Sequence, residues 1–266
     1  MFAYDLHNQL LKKLLLAILL VAYISFSYNF FNGWWYSSLG TVLIIVFSYF
    51  IWGKKNLEVT GLKILPRSVL FILIVILLTV SGSYLLISFI SSVNNLAFTQ
   101  GNFFSYYHIF FYTLNEEIIL GGIVIYFLYR KLKINPFSVS AGLAIVFVVI
   151  HYIFYRWIVL CPGLLTISTL SSLFFIGILR NNLIITSGHI GYAWAIHFGW
   201  MVVMFGIYHY HDQTEEALTE PEVFNYFLGS AEMLIISFLL ALSSTLFLIR
   251  NINTIKEKLV HKSGFY

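Results

Sequence analysis

Charge is what this chain has least of. Asp, Glu, Lys and Arg make up 10% of its 266 residues, against 60% hydrophobic residues and a mean hydropathy of +0.88. A soluble globular domain does not reach that balance. Cysteine is nearly absent too: Cys161 stands alone, which excludes an internal disulfide framework and a thiolate metal cage. Four prolines leave few places where a long helix must break. The net charge of +4 and the pI near 9.0 call for no nucleic-acid partner, because an excess of Lys and Arg on one side of a membrane accounts for them.

Long apolar runs fill the space that charge leaves. Eight can be drawn, at about 12–31, 36–52, 67–92, 103–129, 137–159, 162–180, 182–206 and 223–250. Trp34, Trp35, Tyr36, Trp52 and Trp157 gather near their ends, as interfacial aromatic belts do. Lys12 and Lys13 precede the first run as in a signal peptide, but no small-residue cleavage site follows, so the run reads as a retained helix. If the helices alternate in direction, every one of the 15 Lys and Arg residues except Arg156 falls on one side; this assignment puts Arg180 in the connection between the sixth and seventh runs. The sequence therefore predicts an all-α polytopic membrane bundle of about eight transmembrane helices, with both termini cytoplasmic and residues 1–266 forming one integral membrane domain. Residues 54–66, basic and apolar by turns and ended by Pro66, read as an interfacial segment. The acidic 208–222 loop reads as external and solvated; its His209, His211 and Asp212 make only a weak metal signal.

Few strongly polar side chains fall deep within these runs: Glu116 and Glu117 in the fourth, His151 in the fifth, His197 in the seventh and Glu232 in the eighth. An ionisable residue inside a span is costly and defaults to a functional hypothesis. At ~1.5 Å per residue, Glu116 lies ~20 Å from the outer face, while His151 and His197 lie ~20 and ~22 Å from the inner one. All three therefore fall in the middle or outer half of a core ~30 Å thick. Glu232 belongs nearer the outer interface. Adjacent helical residues point about 100° apart, so Glu116 and Glu117 are not expected to face one reacting centre together: one is expected to react and the other to support. Two carboxylates this close in an apolar medium should leave at least one protonated.

One Glu and two His at one depth allow two chemistries. The carboxylate can act as general base towards water with one His, while the other His donates to the oxyanion. Alternatively Glu116, His151 and His197 can hold a divalent metal such as zinc that activates the water, although no local H-E-x-x-H spacing is present. The bland alternative is a pair of core histidines satisfied by hydrogen bonds between helices. A proton-coupled transporter built on Glu116, Glu117 and Glu232 is a further reading, against which stand the lack of an inverted repeat and of a Pro-broken helix pair.

The pattern Glu116-Glu117-Ile-Ile-Leu-Gly121-Gly122, then Phe147-Val-Val-Ile-His151, then Ser187-Gly188-His189 through His197 to Met201 resembles the motif series of the CAAX-protease and bacteriocin-processing (CPBP) family of intramembrane glutamic endopeptidases, which includes the CAAX prenyl endopeptidases. In that family the motifs read E-E-x-x-x-R, F-x-x-x-H and H-x-x-x-N or H-x-x-x-D, and here they occupy residues 103–206. The resemblance implies a membrane endopeptidase of a bacterial plasma membrane, acting without a cofactor on a membrane-embedded or membrane-anchored protein or peptide. It implies that Glu116 with His151 activates water, that His197 helps bind the oxyanion, and that Glu117 and Phe147 support the site. Two positions depart from the pattern. Gly121 stands where the motif has Arg, which leaves Glu117 without its i+4 partner and so expected to be protonated; Arg130, ~20 Å further along the helix, cannot substitute. Met201 stands where the motif has Asn and cannot donate a hydrogen bond. A slower enzyme, recruitment of a donor such as Asn115 or Tyr112, and a non-catalytic relative acting in binding, immunity or maturation are the consequences to weigh.

Overall fold

A computed structural model describes residues 35–96, 103–153, 164–208 and 219–263, with the side chains of Glu220 and 254–263 outside that description. The described residues are helical or lie in turns, with no strand. The helices are α1 (Tyr36–Trp52), α2 (Asn56–Val59), α3 (Pro66–Val93), α4 (Phe103–Glu116), α5 (Pro136–Ile153), α6 (Ile167–Ser187), α7 (Gly191–Met201), α8 (Glu220–Phe227) and α9 (Ala231–Ser263). Among the described residues, six helical stretches are long and apolar enough to cross a membrane. Their lipid-facing sides are apolar, as at Phe50, Leu77, Leu85 and Ile235. The chain is thus a multi-pass, all-helical membrane protein. The first apolar run, Arg156, Cys161, and the His209, His211 and Asp212 cluster lie outside the described residues.

Two of the helices that carry site residues change winding along their length. After Glu116, α4 continues as π-helix over Glu117–Val124 and Tyr126–Lys131, and α7 continues as π-helix over Val202–Ile207. The i→i+5 closure persists at the ends, where Leu132 N–H donates to Phe127 O and Tyr208 N–H to Val203 O, each at 2.9 Å. π-helical turns are rare and concentrate at functional sites. Here one begins at the second carboxylate of the Glu116–Glu117 pair.

Two sequence boundaries need correction. The expected break between 180 and 182 does not exist: α6 runs through Arg180 to Ser187 and stops at Gly188, whose φ of +79° is left-handed and whose N–H donates to Ile184 O. Glycine takes that conformation without a Cβ penalty. A charge marked the wrong boundary because an arginine that finds a partner inside the bundle need not sit in a connection. The expected 223–250 segment is also divided, into α8 and α9. Thr219 and Glu222 form a capping box at the start of α8, and Ser230 Oγ accepts from Met233 N–H as α9 opens. Residues 54–66, expected at the interface, contain a tight turn at Gly53–Lys55 and then α2.

Packing brings α1 against α4, α3 against α7, and α6 against both α5 and α9. Small residues allow these approaches. A Cβ on Gly177 of α6 would lie 3.0 Å from Ala144 of α5, and one on Gly199 of α7 would lie 2.9 Å from Thr79 of α3. Close backbone approach of this kind drives association where lipid removes the hydrophobic incentive. Buried side chains form two clusters. One centres on Ile118, Ile119, Ile123, Ile184 and Ile190, the other on Leu120, Phe147, Val203, Met204 and Phe224. Residues 118–120 contribute to both, Ile118 and Ile119 to the first and Leu120 to the second.

Candidate active site

Four helices converge on one polar cluster. α4 supplies Tyr112 and Glu116, and the first π-turn supplies Glu117. Phe147 and His151 come from α5, Arg180 from α6 and His197 from α7. Glu117 is fully buried and Arg180 is 4% exposed. Arg180 Nε lies 2.7 Å from both Glu117 carboxylate oxygens. The rest of the guanidinium is also engaged: Nη1 donates to Asn181 Oδ1 at 3.0 Å and Nη2 to the Glu116 carbonyl at 3.4 Å. Its plane lies 5.6 Å from the Phe147 ring centre. Asn181 is in turn fixed by donating to Ser140 O at 2.9 Å.

Glu117 is therefore not left without a cation, and the expectation that it lacks one and is protonated for that reason is corrected. The cation arrives from α6 and not from the next turn of its own helix. Gly121 makes the room. A Cβ there would stand 2.6 Å from Ile184 Cδ1, 3.1 Å from Glu117 Oε2 and 3.2 Å from Arg180 Nη2. The missing side chain at 121 leaves Ile184 and the guanidinium close against α4.

His197 meets both carboxylates. Its Nδ1 is 3.1 Å from Glu117 Oε1, and since a carboxylate accepts, Nδ1 carries the hydrogen. Its Nε2 faces Glu116 Oε2 at 3.7 Å. The expectation that the adjacent pair cannot share one centre is thus corrected: an imidazole ring has a nitrogen on each side and spans the angle between neighbouring helical positions. Glu116 Oε1 accepts from Tyr112 Oη at 2.8 Å. Glu116 Oε2 is buried and has no hydrogen-bond partner among the described residues. A buried unpaired acceptor is expensive, and a carboxylate oxygen more so.

His151 stands at the side of this cluster. Its Nδ1 donates to the Phe147 carbonyl one turn earlier at 2.8 Å. The ion-pair contact of Glu116 is with His197 and not with His151. Phe147 is the common floor. Its ring centre is 4.4 Å from that of His151 and 6.4 Å from that of His197.

Of the donors considered for the Met201 gap, Asn115 is excluded by geometry. Its Nδ2 donates to Ser37 O at 2.8 Å and its Oδ1 accepts from Thr41 Oγ1 at 2.6 Å, so the amide faces α1. Tyr112 does reach the cluster. Glu232 is exposed in the first turn of α9 and joins neither carboxylate. Among the described residues, no three His, Cys, Asp or Glu side chains converge closely enough to hold a metal ion. Sequence reasoning missed Arg180 as a site residue. A partial signal was there: Ile-Leu-Arg180-Asn181-Asn182-Leu-Ile contains no Gly or Pro, and the first Gly stands at 188, although an arginine followed by two asparagines also reads as a helix end. Comparison with protein-family models, curated proteins and solved structures finds no match to this chain.

Proposed function

We propose that this chain is an intramembrane endopeptidase of the CAAX-protease and bacteriocin-processing kind, hydrolysing a peptide bond of a membrane-embedded or membrane-anchored protein with Glu116 as general base. The observation that carries the reading is Glu116 itself: one oxygen held by Tyr112, the other buried, unpartnered and 3.7 Å from His197 Nε2. A water donating to that free oxygen would be polarised for attack. Glu116 takes the water's proton as the hydroxyl oxygen bonds to the scissile carbonyl carbon. The proton then passes to the leaving nitrogen as the C–N bond breaks. His151 flanks the water. His197, held through Nδ1 by Glu117, presents Nε2 to the oxyanion and donates there as the imidazolium. No metal is required, though a zinc ion held by Glu116, His151 and His197 is the variant to exclude by elemental analysis.

The same reading places eight helices in a bacterial plasma membrane with both termini cytoplasmic. The Lys and Arg distribution supports that orientation. One observation favours a second reading, a non-catalytic binding or maturation-accessory protein: Met201 cannot donate, and the neighbouring Asn115 amide is committed to α1. Losing one oxyanion donor typically lowers the rate about 10²–10³-fold. The deciding experiment compares peptides and processed membrane proteins by mass spectrometry in cells carrying wild type, Glu116→Gln or a deletion. A product seen only with wild type establishes proteolysis. A deletion phenotype that Glu116→Gln fully rescues establishes the binding role instead.

A further inference from the structure

Arg180 is engaged at all three guanidinium nitrogens, and none of its hydrogen bonds to the described residues goes to Glu116 Oε2 or to His197. Its bonds run the other way: to both oxygens of Glu117, to Asn181 and to the Glu116 carbonyl. Glu117 in turn holds His197 Nδ1. We propose that Arg180 is a positioning residue that acts through Glu117 to fix the ring of His197, and that Gly121 and Arg180 form one functional unit in which the missing side chain at 121 leaves Glu117 to the guanidinium. The inference deepens the endopeptidase reading and rests on it for its effect on rate, but the positioning itself can be read without any substrate.

Three observations converge on it. Charge comes first. Glu117 is wholly buried, and a carboxylate inside an apolar bundle is sustained as the anion only by a cation and hydrogen bonds. Arg180 supplies the cation, and the anion then accepts the His197 Nδ1 hydrogen, as carboxylates do when they set the tautomer and angle of a working imidazole. Rigidity comes second. The guanidinium is tied at Nε, Nη1 and Nη2 and packed on Phe147, while Asn181 is anchored to Ser140 of α5. The carboxylate it grips is consequently fixed relative to α5 and α6 as well as α4. Space comes third. A Cβ at 121 would stand 2.6 Å from Ile184 Cδ1, 3.1 Å from Glu117 Oε2 and 3.2 Å from Arg180 Nη2, so a charged side chain at 121, given room by the Ile184 tip, would reach the same carboxylate.

That competition gives the test. The protein, labelled with ¹⁵N-histidine and reconstituted in lipid nanodiscs, is compared as wild type, Arg180→Gln, Gly121→Arg and the exchanged pair Gly121→Arg/Arg180→Ala. The His197 signals are assigned from a His197→Gln sample. In wild type the His197 Nδ1–H signal is expected as a single sharp resonance showing its hydrogen bond to a carboxylate. Arg180→Gln should shift or broaden it, because Glu117 loses its cation and the ring its fixed partner. Gly121→Arg alone should do the same or fail to fold, since two guanidinium groups then contest one carboxylate. The exchanged pair should restore the wild-type signal, which a merely space-filling role for Arg180 would not produce. An unchanged His197 signal in folded Arg180→Gln overturns the proposal. So does an exchanged pair that fails to fold or lacks the signal. If the signals behave as expected while no proteolysis is found with any variant, the positioning stands and the endopeptidase reading is the one that fails.

Discussion

Tyr112 and Glu116 sit one helical turn apart on α4, and the phenol donates at 2.8 Å to the carboxylate oxygen that faces away from His197. Because a carboxylate has two oxygens, tying one leaves the other fixed in direction. Tyr112→Phe removes the hydroxyl and little else. A hydrogen bond to a charged group is worth about 1.5–3 kcal/mol, so if the bond acts in the transition state, turnover of the natural substrate should fall about 10- to 100-fold. The protein should stay folded but melt at a lower temperature, because the Glu116 oxygen loses its donor. Full activity in Tyr112→Phe would show that Glu116 is oriented by other means.

Asn115, immediately before the acidic pair, ties α1 to the site helix. Its amide bonds Ser37 O and Thr41 Oγ1, and Ser37 Oγ also meets His108 Nδ1 at 2.5 Å. Asn115→Leu leaves the Ser37 carbonyl and the Thr41 hydroxyl without that partner, and a buried group so abandoned costs about 1–3 kcal/mol. Thermal unfolding in detergent should show a clear drop for Asn115→Leu. Thr41→Val should show a smaller one, since it leaves the Ser37 contact in place.

The two arginine–glutamate pairs should separate cleanly in the same assay. Arg130 Nη1 meets Glu58 Oε1 at 3.0 Å, but those side chains keep 22% and 27% of their surface exposed. Pairs of that kind contribute about 0–1 kcal/mol, so Glu58→Gln should melt close to wild type and lose what little difference it has in high salt. Removing one partner of a buried pair strands the other, at about 3–5 kcal/mol. Glu117→Leu, which leaves Arg180 uncompensated, should therefore be strongly destabilised.

Hydropathy made the all-helical membrane architecture legible, because runs of that length and apolarity have few other uses. The polar residues that matter were legible for the same reason: Glu116, Glu117, His151 and His197 are conspicuous in lipid-soluble sequence. What could not be read was the partner of each. Glycine at 121 looked like a loss when only the helix's own next turn was considered, since the compensating arginine lies 63 residues away in sequence. Arg180 was assigned to a connection by the positive-inside rule, which counts charges without asking whether a bundle can satisfy one internally. The winding change after Glu116 was not read from the sequence either, because the apolar run Ile-Ile-Leu-Gly-Gly-Ile-Val suits an ordinary α-helical span equally well.

The turn between α6 and α7 carries a pH dependence. His189 is buried there, its Nδ1 accepts from the Gly191 N–H at 3.2 Å, and Ser187 Oγ donates to its carbonyl. Burial holds its pKa below the ordinary histidine value. The unfolded chain therefore binds the proton more readily than the folded one. The neutral ring's stabilisation is complete above the unfolded value of about 6.5 and is lost as pH falls below it towards the depressed folded value. Protonated Nδ1 also ceases to accept from Gly191. The melting temperature should decline from pH 7 to pH 5, and His189→Asn should flatten that decline.

Gly122 should be the least replaceable position on the π-helical segment. The α2 turn passes so close that a Cβ at 122 would overlap the Thr60 carbonyl and stand 3.0 Å from Thr60 Cα. Backbone cannot swing aside as a side-chain tip can. The turn is itself fixed, because Gly61 has a φ of +72° and its carbonyl accepts from Ile190 N–H at 3.0 Å. Gly122→Ala must push α4 away from α2 or unwind the turn, and overpacking of this sort costs about 1–3 kcal/mol or more. Gly142 of α5 is the control, because a Cβ there meets nothing within 4 Å and alanine is the better helix former. Gly142→Ala should melt at or above wild type and Gly122→Ala well below it. Equal melting of the two would mean that α4 and the Thr60 turn do not touch as described.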